Sequence, residues 1–444
     1  MATMSKNKPA KPLRPSAKPT SRPAALVGLA ALIVGIVLVA TGTSSQRIAM
    51  PVTLPKFPES ARVRFDRQDI GATTTAAKRT TNVQVVDFDK DGLNDILVCD
   101  AARNAVILYR QTKDHRFVEQ VLGENLKVPA HATVVDIDKD GDLDVVVSVL
   151  GNIFPSDELI GKVVLLRNDR DHFTQKVLLE DVRRVADVQA ADFDGDGDID
   201  LVVGVFGYAR GEVLMLENLG DGTFRDRVLL AKPGIIHVPV GDLNGDGFPD
   251  IAAVATQDEE EVWTLINDGK GRFTPNRIYF NNNYDVGGAG LVMADLDKDG
   301  DLDLILPQGD NLEDRYSWPQ GYHGCVWLEN MGNGTFKPHQ IAQFGGTYAA
   351  AVADFDGDGD LDIVLVSYLT DPMTPSIVWL ENDGRQNFTT HQLDTAPVGL
   401  VTVAAGDLNG DGKADVVAGG LHLPPMKSKG FERVPVWINK GGLK

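Results

Sequence analysis

The chain has 444 residues, with 63 acidic and 43 basic side chains and a formal net charge of −20. That balance argues against a nucleic-acid binder, which needs a basic face. The two cysteines, Cys99 and Cys325, are far apart and give no disulfide framework.

Residues 1–23 carry Lys6, Lys8, Lys11, Arg14, Lys18 and Arg22, many Pro and Ser, and no acid. Such a segment cannot bury enough apolar surface to order itself and is expected to be a disordered cytoplasmic tail. Residues 24–40, AALVGLAALIVGIVLVA, follow without a charge. As a helix rising ~1.5 Å per residue they would reach roughly 25 Å, near the lower limit for a bilayer. The basic flank should stay in the cytoplasm, so everything after it is expected outside. The segment reads either as an uncleaved transmembrane signal-anchor or as the apolar region of a cleaved signal, which would leave the rest secreted or periplasmic. Residues 41–61 read as a linker.

Beyond it one pattern returns seven times. It is DFDKDGLND at 87–95, DIDKDGDLD at 136–144, DFDGDGDID at 192–200, DLNGDGFPD at 242–250, DLDKDGDLD at 295–303, DFDGDGDLD at 354–362 and DLNGDGKAD at 407–415. Oxygen-bearing side chains stand at positions 1, 3, 5 and 9 of each copy, and glycine stands at position 6. The first three copies place them at Asp87, Asp89, Asp91 and Asp95, at Asp136, Asp138, Asp140 and Asp144, and at Asp192, Asp194, Asp196 and Asp200. The middle copy has Asp242, Asn244, Asp246 and Asp250. The last three have Asp295, Asp297, Asp299 and Asp303, then Asp354, Asp356, Asp358 and Asp362, then Asp407, Asn409, Asp411 and Asp415. Four like charges in nine residues repel, and a hard cation removes that repulsion. Ca²⁺ takes six to eight oxygens, and glycine at position 6 permits the sharp reversal. About seven Ca²⁺ sites are expected, with Asp at position 9 completing each shell. Filling them would bring the formal charge from −20 to −6. An EF-hand would need Glu at position 12; Val98, Val147, Val203, Ala253, Leu306, Leu365 and Ala418 stand there. Short β-type runs flank each loop, so it joins two strands.

From Val63 onward the chain reads as all-β. Each loop leads into an apolar strand, then a strand ending in an Asn/Gly turn (VWLENMGNGTF at 326–336), then a strand opening on Phe. Four antiparallel strands per unit, with steps of 49 to 59 residues, predict a β-propeller over 62–444. The last unit stops where its Phe strand should begin, while VRFDRQDI at 63–70 offers a spare one. The expectation is seven four-stranded blades, closed by the N-terminal strand completing the last blade, which also removes two sheet edges.

With strands named A to D outward in each blade, the cation loop joins A to B. Strand alternation puts the B–C loops and the D-to-A connectors on the opposite face, where variable loops on a rigid scaffold usually carry function. The longest B–C loop, 307–324, combines Asp310 and Arg315 with Tyr316, Trp318, Tyr322 and His323 and suits a protein or glycan ligand. It could equally fold on itself around Trp318. Five residues before each first Asp stand Asn82, His131, Asp187, His237, Gly290, Ala349 and Thr402. They should ring the axis, with His131, Asp187 and His237 on three consecutive blades. Such a set can hold a ligand or metal or move protons, or simply line a solvated channel.

These loops and the VWLEN-type strands after them resemble the FG-GAP/VCBS repeats, the calcium-loop propellers of integrin α-subunits and of bacterial surface proteins. That family's Phe-Gly and Gly-Ala-Pro signature is poorly kept, VFGYARG at 205–211 being the nearest, which places the chain with the VCBS-like group. The resemblance implies a seven-bladed propeller with calcium at the aspartates named above, and adhesion or ligand binding as its function. The reading that results is a calcium-binding module outside the membrane, acting as a binding, adhesion or scaffold unit for a protein or glycan. The alternative is a lyase-like enzyme acting on extracellular polysaccharide. No GxSxG, HExxH or CxxCH motif occurs, and no catalytic residue is assigned.

Overall fold

The computed structural model describes residues 56–442, apart from 61, 73–78, 155, 258, 284, 311–318, 371–373 and 424–433. The basic tail, the apolar run at 24–40 and most of the linker lie outside the described residues. Among the described residues no helix is long and apolar enough to cross a membrane.

The fold is the expected all-β, seven-bladed propeller. The described strands form seven antiparallel sheets, six of them with consecutive strands paired in order. The first blade runs Thr80–Val86, Asp95–Asp100, Ala105–Gln111 and Phe117–Gly123 from A to D. The other blades repeat this layout; in the fourth, strand A is split into Ile235–His237 and Val240–Gly241. The last blade takes its D strand from the front of the chain. Phe65–Ile70 pairs antiparallel with Val434–Asn439, in a register that sets Phe65 against Asn439.

Strand B is buried along its whole length in every blade, as in DILVCD and DIVLVS. Each blade is covered by a neighbour on both faces, which is why these strands read as unbroken apolar runs rather than alternating ones. The core is accordingly a ring of seams. Leu97, Val106 and Leu108 of the first blade meet Ala132, Val145 and Val147 of the second. The ring closes where Val417, Val434 and Val436 of the last blade pack on Ile96, Val98 and Ile107 of the first. Burying each such aliphatic side chain contributes about 1.5–3 kcal/mol, so the seams carry most of the stability. Cys99 and Cys325 are buried and unpaired in different blades.

Candidate functional site

The repeated loops have one backbone conformation. Glycine at position 6 takes a left-handed φ, from 81° at Gly412 to 99° at Gly300. Position 4 is left-handed too and holds either Gly or Lys, with Lys139 at 59° and Gly195 at 77°. The position-1 carboxylate accepts the N–H of the position-6 glycine in all seven copies, at 2.7 to 3.1 Å. Position 5 accepts the N–H of position 7, as Asp196 does from Asp198 at 2.8 Å. These bonds curl the side chains inward and bring their outer oxygens together.

Position 9 opens strand B and is buried. Its Oδ2 accepts the backbone N–H of position 2, as Asp200 does from Phe193 at 3.2 Å. Its Oδ1 accepts the backbone N–H of an Asn or Gln at the end of strand C, as Asp200 does from Asn218 at 2.8 Å. The second bond recurs in all seven blades at 2.7 or 2.8 Å, to Gln111, Asn168, Asn218, Asn267, Asn330, Asn382 and Asn439. The side chain of that terminal Asn or Gln closes the turn by donating to the carbonyl at position 8, for example Asn218 to Ile199 at 3.1 Å. In three blades it also reaches the blade before, as Asn267 does to the carbonyl of Phe193 at 2.8 Å. This Asn was not singled out in the sequence reading, although its recurrence in VWLEN and VLMLEN was the available signal.

Burial pushes the Asp200 carboxyl up to about 6, against the two N–H groups that hold it down. Asp362 is pushed up to about 7 by burial for the same reason. Farther out, burial and then the neighbouring carboxylates raise Asp194, Asp297 and Asp356 above the ordinary range. Five loops gather three carboxylates whose oxygens lie within 4.8 Å of one another: 87/89/91, 136/138/144, 192/194/200, 295/297/299 and 354/356/362. The other two loops carry Asn244 and Asn409 at position 3, where a carboxamide oxygen replaces a carboxylate. An all-oxygen, acidic donor set on a tight loop fits a hard divalent cation. When bound, the ion would neutralise the mutual repulsion that adds to the effect of burial on these carboxyls. Asp144, Asp200 and Asp362 thus serve both as strand staples and as members of the clusters.

The opposite face holds an axial cavity of about 350 Å³. All seven ring positions line it: Asn82, His131, Asp187, His237, Gly290, Ala349 and Thr402. His131 Nδ1 lies 3.0 Å from one Asp187 oxygen and His237 Nδ1 lies 3.5 Å from the other. Asp187 also accepts the Val238 backbone N–H at 2.8 Å and the Gln189 amide at 3.1 Å. Burial alone would raise the Asp187 carboxyl, but the flanking imidazoles hold it well below the usual carboxylate range. One carboxylate therefore ties three blades together and sets the orientation of both imidazoles in the cavity wall.

Of the residues expected in the 307–324 loop, Asp310 lines the cavity. Tyr322 is on the surface, its ring edge-on to His323 with centroids 5.2 Å apart. His323 is fully buried, with Nδ1 accepting the Gly346 N–H at 3.1 Å and burial pushing the imidazole down to about 4. It is a neutral core group in this fold. Arg315, Tyr316 and Trp318 lie outside the described residues. The sequence reading also passed over Arg184, a buried arginine of the cavity wall. Its guanidinium sits 4.3 Å from the Phe206 ring and donates to the Phe154 carbonyl at 3.0 Å.

The B–C loops of the second and third blades bring Phe154 and Phe206 to the cavity wall and expose Phe154, Leu159 and Tyr208, at 57%, 55% and 49%. The two loops are braced against each other. Asp157 accepts the Ala209 N–H at 3.0 Å and lies 3.8 Å from Arg183.

The FG-GAP-like repeat model matches residues 75–147, 192–253, 242–306, 308–365 and 354–418. A T-cell immunomodulatory protein homolog of Plasmodium falciparum (isolate 3D7) is 24% identical over 217 residues, which is 41% of this chain and 29% of that protein. The chain thus spans under a third of that relative's length. Among solved structures, BBS1N in complex with ARL6DN aligns over 86% of this chain and 97% of that chain at 11% identity. The TM-score is 0.50 for the mercury-soaked crystal and 0.47 for the lead-soaked one, a likeness of fold alone. The repeats matched to the family model cover more than half of the chain, and the chain belongs to the FG-GAP-like repeat family.

Proposed function

We propose that the protein is a binding or scaffold module displayed outside the cytoplasm, in which divalent cations, Ca²⁺ foremost, set the loops of one face and a protein ligand engages the other. One observation carries this reading. The seven ring positions converge on a single cavity, and the two braced loops that bring Phe154 and Phe206 to its wall also expose Leu159 and Tyr208. Exposed aromatic and aliphatic side chains held on a rigid support are the usual anchors of a protein interface. The cation face is stereotyped from blade to blade, and its carboxylates are already engaged by backbone N–H groups. That BBS1N forms a complex with ARL6DN is compatible with a propeller of this kind meeting a protein.

The test uses fluorescently labelled protein and cells that retain it. A triple variant, Phe154→Ser, Leu159→Ser and Tyr208→Ser, should lose retention with an unchanged melting temperature. A variant of the cation face that keeps its fold should retain binding. Equal retention of the triple variant and wild type would sink the assignment of the face. Display outside the cytoplasm has a separate check: protease added to intact cells should cleave the propeller, and full protection would count against it.

A further inference from the structure

The seven loops share a motif but not an electrostatic setting. In loop 136–144 the guanidinium of Arg167 lies 2.7 Å from Asp138, the position-3 carboxylate itself. Lys90, from the loop of the preceding blade, donates to the Gly141 carbonyl of the same loop at 2.7 Å. Loop 192–200 receives Lys139 from its neighbour, 2.9 Å from Asp198. Loop 354–362 receives Lys298, 2.7 Å from Asp360, and Arg62, 3.5 Å from Asp356. In loop 407–415, Lys413 lies 2.9 Å from Asp411. In loop 87–95, Arg110 lies 3.5 Å from Asp89.

Loop 295–303 is different. Its own Lys298 leans away to the next blade. Among the described residues no basic side chain forms an ion pair with Asp295, Asp297, Asp299 or Asp303. The charges that bear most on Asp297 are those of Asp299, Asp295 and Glu329, all acidic; Lys337 and His339 pair with Glu329, at 3.3 and 2.7 Å, and not with the loop carboxylates. Loop 242–250 is equally free of basic partners among the described residues, but has Asn244 in place of one carboxylate.

We infer that the cation sites are graded by internal counterions: loop 295–303 takes a divalent ion most tightly, and loop 136–144 most weakly because Arg167 and Lys90 already stand there. This rests on the reading that the loops hold Ca²⁺ and goes beyond it by ranking them. A lysine or arginine beside the carboxylates partly neutralises the metal-free loop and repels an incoming dication. A single charge about 5 Å from a dication changes affinity by about tenfold in a water-like dielectric, and by less in salt. The lysines at position 4 thus couple one blade's loop to its neighbour, and the arginines on strand C tune the loop of their own blade.

The experiment is equilibrium dialysis of the Ca²⁺-stripped full chain against graded free Ca²⁺, with melting temperature read in parallel. At low free Ca²⁺, Asp297→Asn should bind one ion fewer than wild type and Asp138→Asn the same number; the Asp138 deficit should emerge only near saturation. Arg167→Met removes no ligand oxygen and should tighten one weak site by about tenfold, with a smaller change for Arg167→Lys. Equal deficits for the two Asp variants at every concentration, or an unchanged isotherm for Arg167→Met, overturn the grading and leave the calcium reading standing. No bound Ca²⁺ at any concentration overturns both.

Discussion

Replacing Asp200 by Asn separates the structural role of position 9 from its role toward a cation. In the folded protein this carboxylate accepts two buried backbone N–H groups, Phe193 at 3.2 Å and Asn218 at 2.8 Å. A carboxamide has one oxygen, so one bond survives while an NH₂ group is set against the other N–H. An unsatisfied buried donor costs about 1–3 kcal/mol, and the donor–donor contact brings the expected loss for Asp200→Asn to about 2–3 kcal/mol. For Asp200→Ala both N–H groups are orphaned, and about 3–5 kcal/mol is expected. At about 2 °C per kcal/mol for a large domain, Asp200→Asn should melt about 4–6 °C below wild type. The comparison is made in excess EDTA, where a cation can contribute nothing. Asp194→Asn in the same loop is the control, because its Oδ1 accepts only one exposed N–H, from Asp196 at 3.2 Å. It should cost little in EDTA and matter only with Ca²⁺ present. Asp200→Asn within 1 °C of wild type in EDTA would refute the staple.

Three further outcomes follow from the same geometry. Chelation with EDTA should lower the melting temperature by several degrees, because an ion bound only by the folded state stabilises it by mass action; an unchanged scan counts against the metal reading. Asp95, Asp144, Asp200, Asp250, Asp303 and Asp415 are pushed up to about 6 and Asp362 to about 7, with burial the first cause in each. A carboxyl whose folded pKa is raised contributes stability that is full below its unfolded value near 4 and lost as pH rises through 6–7. The chelated wild type should therefore lose more stability between pH 4 and 7 than Ca²⁺-loaded protein does, and parallel melting curves would contradict this. Gly197→Ala should destabilise by about 1–2 kcal/mol, because Gly197 has φ 92° and an L-residue is strained there. Gly195→Lys should be nearly neutral, since Lys already stands at the equivalent position 139; equal losses in urea titrations would remove the distinction.

The blade count, the closure by the first strand and the ring around the axis were legible because each rests on a fixed offset repeated seven times. Counting five residues back from the first Asp found every ring position, since the offset places the side chain at one height on strand A. Adjacency between blades was not legible. Nothing in the local sequence says that Lys139 reaches Asp198 of the next loop, because that contact depends on how blades are stacked. His323 shows the same limit from the other side. In sequence it belongs to a polar, aromatic loop and reads as a ligand contact, yet the turn folds it against Asp285 and Gly346 in the core. The C-strand Asn was overlooked for a different reason. An Asn two residues before Gly is read as part of the turn, and its second task, holding the loop of its own blade, appears only when Asp and Asn are seen to share a bond.

The seventh blade identifies what sets the blade register. In six blades strand D follows strand C through a short turn, so the turn chemistry and the Asp–Asn staple could each fix the pairing. In the seventh, Phe65 and Asn439 come from opposite ends of the chain, and no turn joins them. The pairing is nevertheless the same, Phe against the terminal residue of strand C, as with Asn218 and Phe224 or Asn330 and Phe336. The staple is the same too. Asp415 accepts the Asn439 N–H at 2.7 Å, and the Asn439 side chain donates to Ala414 of its own loop and to Phe355 of the blade before. What the seventh blade keeps is the buried carboxylate and the Asn it holds; what it lacks is the turn. The shared register thus goes with the acidic loop and its staple, and does not need the turn. The position-1 and position-9 bonds of that loop recur in all seven blades, while the B–C loops of the opposite face differ from blade to blade.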